Sequence, residues 1–110
     1  MLKNVTRYEI FFADLNPTQG SEINKIRPVV VVSQNDMNRY LDTIVICPLT
    51  SVLHPGWRSR IQIQCAGKPA EIAVDQIRTI SKGRLQKRID KLSETEAVIL
   101  RRLITEMYGE

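Results

Sequence analysis

Gly20-Ser21-Glu22-Ile23-Asn24-Lys25-Ile26-Arg27-Pro28 leads into Val29-Val30-Val31-Val32, and this stretch decides the fold. A polar loop opened by glycine runs into four consecutive valines. An unbroken β-branched run is the pattern of a strand buried on both faces. Pro28 fixes its own φ and drives Arg27 toward an extended conformation, so the guanidinium is held at a defined point at the strand entry. The loop sets Glu22, Lys25 and Arg27 at the rim of a rigid core. Buried valines account for stability, but they do not require an acid and two bases at the mouth of their strand.

Outward from this strand, short strands and turns alternate until a single clear helix closes the chain. Residues 8–13 (YEIFFA) read as a strand that stops at the turn signal Asn16-Pro17. Ser33-Gln34-Asn35-Asp36 resembles a capping box and predicts a short helix to about Leu41. Residues 43–49 (TIVICPL) predict a strand ending near Pro48, and a loop over 51–58 carries Pro55-Gly56 and the single tryptophan, Trp57. Residues 60–65 alternate Ile61 and Ile63 with Gln62 and Gln64, the pattern of a half-buried strand. A turn at Ala66-Gly67-Lys68-Pro69 precedes one or two further strands over 71–80, and the basic stretch 82–91 reads as a partly helical connector. Ser93-Glu94-Thr95-Glu96 is a capping box, followed by an apolar face of Ile99, Leu100, Leu103, Ile104 and Met107, with Leu92 just before it. With no regular strand–helix alternation, the pattern predicts a mainly β fold, a small antiparallel sheet or barrel with helical decoration.

The 110 residues suit one domain, 1–110, long enough to bury about two thirds of its unfolded surface. An apolar fraction of 43% argues against a disordered chain. The net charge is +4, with 16 Lys+Arg against 12 Asp+Glu. Most of these cations are arginines, whose planar fork suits phosphate and carboxylate oxygens. Such a balance fits nucleic acid or an acidic protein as partner, and equally a basic surface that is only soluble. No apolar leader or membrane-length segment is present, which predicts a cytoplasmic protein. Cys47 and Cys65 sit in apolar stretches as reduced core thiols; with His54 the only histidine, no metal site and no cofactor is expected.

Arg27 enters the valine strand, and Thr50-Ser51 leave the next strand of comparable apolarity. An arginine facing hydroxyls at a sheet end can grip a phosphate, the fork on its oxygens and the hydroxyls as further donors. The plainer alternative is a rim ion pair between Arg27 and Glu22, with Thr50-Ser51 starting a turn. No nucleophile elbow, phosphate-cradling loop or metal cluster occurs, and one histidine cannot serve as both acid and base. One phosphodiester cleavage needs no protein nucleophile, because RNA attacks its own phosphate through the 2′-hydroxyl. Proton transfer, charge stabilisation and in-line positioning suffice there. Lys82, Arg84, Lys87, Arg88 and Lys91 read most simply as a solvated face. Trp57 suits either a stacking face for an unpaired base or a cover over the core edge, and His54 reads as an exposed loop residue.

NPTQGSEINKIRPVVVVSQND, then PLTS, then DQIRTISKGRL, together resemble the MazF/PemK family of toxin endoribonucleases in order and spacing, from about Tyr8 to the C-terminus. The resemblance implies a small SH3-like β-barrel with a short helix and a C-terminal α-helix, working as a homodimer. It implies metal-independent, sequence-selective cleavage of single-stranded mRNA, leaving 2′,3′-cyclic phosphate and 5′-hydroxyl ends. It also implies an acidic, partly disordered antitoxin protein as partner, with DNA met only through that antitoxin and no membrane.

By position, Arg27 matches the family's catalytic arginine and Thr50 its catalytic threonine; Glu22 matches the loop glutamate, and Asp75-Gln76 the acidic-Gln pair before the last barrel strand. Gly20, Ser21, Glu22, Lys25, Ser51, Trp57, Asp75 and Gln76 are then expected to shape the substrate groove. Some members carry a histidine before the loop glutamate and an arginine two residues before the acidic-Gln pair; Ser21 and Ala73 stand in those places here. Asn24, Lys25 and Ile26 make the loop bulkier than the small residues of many members. Two other classes remain open at this point: a non-enzymatic gyrase poison on the same barrel and dimer, and an RNA-binding barrel. The Arg27/Thr50 pair favours the enzyme, since a gyrase poison needs no guanidinium–hydroxyl site.

Overall fold

A computed structural model describes residues 4–15 and 26–109. The elements run β1 (Glu9–Asp14), β2 (Ile26–Val31), α1 (Asn35–Tyr40), β3 (Thr43–Thr50), β4 (Arg60–Cys65), β5 (Lys68–Ala73), β6 (Arg78–Ser81), β7 (Leu85–Lys91) and α2 (Glu94–Tyr108). Single 3₁₀ turns at Val74–Gln76 and Lys82–Arg84 flank β6. The strands form one antiparallel sheet in the order β4-β5-β3-β2-β1-β7, with β6 paired to β3. β3 is the pivot: one edge pairs with β2, while the other pairs with β6 along its first half and with β5 at its end. Changing partners along one strand curls the sheet into a small barrel-like shell.

The valine run behaves as its pattern requires. Val29, Val30 and Val31 are wholly buried, and successive residues face opposite sides. Val30 and Val32 join Ile10, Leu49, Ile72 and Leu100 in the core under α2, whereas Val29 and Val31 join Phe11, Ile44, Ile46 and Leu85 in the other. Polar substitution at any of the four would therefore open a core. Ser93 and Glu96 complete the capping box of α2: Ser93 Oγ accepts from the Glu96 amide at 3.1 Å, and Glu96 Oε1 accepts from the Ser93 amide at 2.9 Å. Leu100 is buried by that helix and Leu103, Ile104 and Met107 pack at its margin, but Ile99 stays 47% exposed and lies off the apolar face.

Several local expectations are corrected. Ser33 does not cap α1; Gln34 is the N-cap and makes no side-chain capping bond. Ser33 Oγ instead donates to Asn38 Oδ1 at 2.5 Å and accepts from the Val45 amide at 3.1 Å, tying α1 to β3. Pro48 does not end β3, which runs on to Thr50 with Pro48 opposite Val29. The turn after β4 is only Ala66-Gly67, both at positive φ (52° and 81°), the form of a tight hairpin; Lys68 and Pro69 already belong to β5.

Residues 82–91 are a strand after one 3₁₀ turn, not a helical connector, and their cations are not uniformly solvated. Lys82 is buried and its ammonium donates to the Asn38 carbonyl. Arg84 donates to the Asp14 carbonyl at 3.1 Å, and Arg88 pairs with Glu9 at 2.7 Å. Lys87 and Lys91 remain exposed. Both cysteines are free thiols buried in the core, and burial first, then the charge of Asp75, pushes the Cys47 thiol up to about 12.

Candidate active site

Strand register brings Arg27 and Thr50 together. Val29 stands opposite Pro48 in the antiparallel β2–β3 pair, and each step back along β2 is a step forward along β3. Arg27 lies two residues before this pair on β2 and Thr50 two residues beyond it on β3, so both belong to the same end of the two strands. Both line one cavity of about 650 Å³, together with Ser51 and Val52 from the start of the β3–β4 loop. Ile26, Pro28 and Leu49 form part of its apolar wall, Phe12 of β1 stands beside Pro28, and the β4–β5 hairpin adds Ala66, Lys68, Pro69 and Ala70 opposite.

Arg27 is exposed, and among the described residues its side chain forms no hydrogen bond or ion pair; Glu22, its partner in the plainer alternative, lies outside them. Thr50 Oγ1 accepts from the Val52 amide at 3.0 Å. That bond is the turn the plainer alternative proposed, and it also fixes the hydroxyl while leaving its own O–H to donate. Turn-former and donor are thus one residue. Lys68, from the far wall, adds a second cation to the cavity.

The remaining expected site residues divide. Ser51 lies in the cavity lining. Trp57, Asp75 and Gln76 do not line it. Asp75 Oδ1 instead accepts from Arg60 Nε at 2.8 Å, and that bond from Arg60 is the main reason its carboxyl sits below the usual range. Gln76 is exposed on the 3₁₀ turn after β5. Trp57 is 51% exposed, with the His54 ring stacked on it at 3.9 Å and the Arg60 guanidinium 4.6 Å from its ring centroid. His54 is accordingly half-buried rather than a free loop residue. Gly20, Ser21, Glu22 and Lys25 lie outside the described residues.

Sequence reading missed Phe12, Lys68 and Arg60. Phe12 could have been found from β1, where three apolar residues in a row, Ile10, Phe11 and Phe12, exceed what one buried face uses. Lys68 and Arg60 carried no local signal.

A curled β-shell with a partly apolar cavity lined by Arg27 and Thr50 defines a small β-barrel-like protein with a C-terminal helix. The family model described as PemK-like, MazF-like toxin of type II toxin-antitoxin system matches residues 6–108, and the chain belongs to that family. It is 30% identical over 99 residues to the Endoribonuclease MazF of Staphylococcus epidermidis, covering 86% of this chain and 82% of that protein. It is 32% identical over 93 residues to the Endoribonuclease MazF of Staphylococcus saprophyticus, covering 80% and 78%. In fold it is similar to MazF from Deinococcus radiodurans, with a TM-score of 0.82 at 17% identity over 98% of this chain and 99% of that one. A MazE–MazF crystal structure from the same organism aligns with a TM-score of 0.80 at 16% identity, over 97% and 98%.

Proposed function

We propose that this toxin cuts single-stranded RNA, messenger RNA in the cell, sequence-selectively and without a metal, with Arg27 and Thr50 as its catalytic residues. The chain is an endoribonuclease of a type II toxin–antitoxin system. The observation that carries the site is the shared cavity lining of Arg27 and Thr50 at the ends of adjacent strands.

In this mechanism the 2′-oxygen attacks the adjacent phosphorus as its proton leaves. The P–O5′ bond breaks, and the departing O5′ takes up a proton. The products are a 2′,3′-cyclic phosphate and a 5′-hydroxyl. Arg27 transfers a proton and stabilises the charge that builds on the equatorial oxygens, and Thr50 orients the phosphate with its hydroxyl. Ser51, with the Gly20–Ser21–Glu22 loop and Lys25, shapes the groove. Trp57, Asp75 and Gln76 contribute at its outer side, the exposed Trp57 ring as a stacking face.

The toxin is cytoplasmic and acts as a homodimer, neutralised by an acidic antitoxin protein and reaching DNA only through it. Solved relatives that carry their antitoxin, from Deinococcus radiodurans and from mycobacteria, support that partner. Among the described residues no helix is long and apolar enough to cross a membrane.

Two experiments test this. Long RNA incubated with purified protein in EDTA is expected to be cut, giving 5′ ends that a kinase labels without prior phosphatase; 5′-phosphate ends would mean that water attacks instead. Thr50→Val is expected to lower the cleavage rate about tenfold or more, with Thr50→Ser largely retaining it because the hydroxyl survives. Equal rates for Thr50→Val and wild type would reduce Thr50 to a turn former.

A further inference from the structure

Next to the cavity, on a residue the chemistry above does not use, lies a buried anion. Glu71 of β5 stands opposite Thr50 in register and is wholly buried. Its carboxylate accepts from Arg60 Nη1 at 2.6 Å, from Gln62 Nε2 at 2.7 Å and from the His54 backbone amide, and His54 Nδ1 lies 3.4 Å away. Burial pushes the carboxyl up, but the bonds from Gln62, the His54 amide, Arg60 and the His54 ring outweigh it and hold Glu71 down at about 2. These bonds favour the charged carboxylate.

A buried carboxylate is a costly way to fill space that its neighbours Ile61 and Ile72 fill with hydrocarbon. What it does that leucine cannot is bind donors from a loop. The β3–β4 loop leaves Thr50, lines the cavity with Ser51 and Val52, and returns through Trp57 to Arg60. Glu71 holds this loop at two points, the His54 amide midway and the Arg60 guanidinium at its end. Those same two residues pack against Trp57, and Asp75 holds Arg60 from its other nitrogen. The buried carboxylate thus reaches the exposed aromatic ring through both of the groups that flank it.

We propose that Glu71 is a positioning residue: through His54 and Arg60 it presets Trp57 as a stacking face for an unpaired base, and so decides how tightly RNA is held without touching the reacting phosphate. A face fixed before binding loses less conformational entropy when a base lands on it. This rests on the ribonuclease reading above.

The test compares wild type, Glu71→Gln, Trp57→Ala and the double variant, using a single-stranded RNA of about ten nucleotides. Trp57 is the only tryptophan, so its emission and acrylamide quenching report the loop directly. Glu71→Gln is expected to increase quenching and to raise KM about tenfold, with kcat changed less than about threefold. The double variant is expected to be no worse than Trp57→Ala alone, because Glu71 acts through Trp57. A folded Glu71→Gln protein with wild-type quenching and KM overturns the proposal, as do fully additive effects in the double variant. If Glu71→Gln does not fold, Trp57→Ala decides, and an unchanged KM there overturns it. Wild type that cuts no RNA at all defeats the ribonuclease reading instead, and the quenching comparison then still decides whether Glu71 holds the ring.

Discussion

Arg27→Ala is expected to lower RNA cleavage by more than about a hundredfold while leaving thermal stability close to wild type. The two halves of that expectation have separate causes. Stability is spared because the side chain is exposed and has no ion pair to lose among the described residues, while Pro28 and the buried valines still fix the backbone of β2. Cleavage is lost because the guanidinium is the cation that β2 itself delivers to the cavity, beside Thr50. Losing a preorganised charge partner in the transition state costs several kcal/mol, whereas losing a surface ion pair costs about 1 kcal/mol or less. Initial rates on RNA and a melting curve on the same preparation check both halves. A folded variant that cuts within about threefold of wild type removes Arg27 from the chemistry.

Arg60→Ala is expected to have the largest effect on stability, about 3–5 kcal/mol, because it strips the charged partner from a wholly buried carboxylate. Arg60 is itself only 6% exposed in its side chain, so little water shields the pair. Its loss also removes the ion pair of Asp75, but that carboxyl is 35% exposed and keeps a hydrogen bond from Ser59, so it contributes little.

The pH dependence gives an independent check. Glu71 is depressed from an ordinary 4.5 to about 2, so its stabilising contribution is present above the ordinary value and is lost as pH falls toward 2. Wild type is therefore expected to lose stability on acidification across that window. In Arg60→Ala the carboxyl rises from about 2, so stability falls less steeply with acid. Urea midpoints at neutral pH and near pH 3 measure the difference. Arg60→Met combined with Glu71→Leu is expected to recover most of the loss, since an apolar pair of similar volume needs no counter-charge. Equal midpoints for wild type and Arg60→Ala at neutral pH would show that the remaining bonds from Gln62 and His54 satisfy the carboxylate alone.

What the sequence by itself determined was local and periodic. The valine run, the Ile61/Ile63 alternation and the Ser93–Glu96 capping box each read correctly because the physics that forms them acts within a few residues. The cavity pair was also legible: Arg-Pro at one strand entry and Thr-Ser at the exit of the next are tied by antiparallel register across a single short helix. Only the tertiary structure decided the rest. Residues 82–91 read as a basic, partly helical connector until β1 arrives from the start of the chain, pairs with 85–91 and brings Glu9 to Arg88. Pro48 reads as a strand end, yet β3 continues through it to reach β5 and Thr50. Glu71 sits in a short strand, and nothing near it in sequence says that Arg60, Gln62 and the His54 amide will converge on its carboxylate. Chain neighbours set the strands and caps, but burial of a charge is a property of everything that folds around it, and that is settled by contacts far apart in sequence.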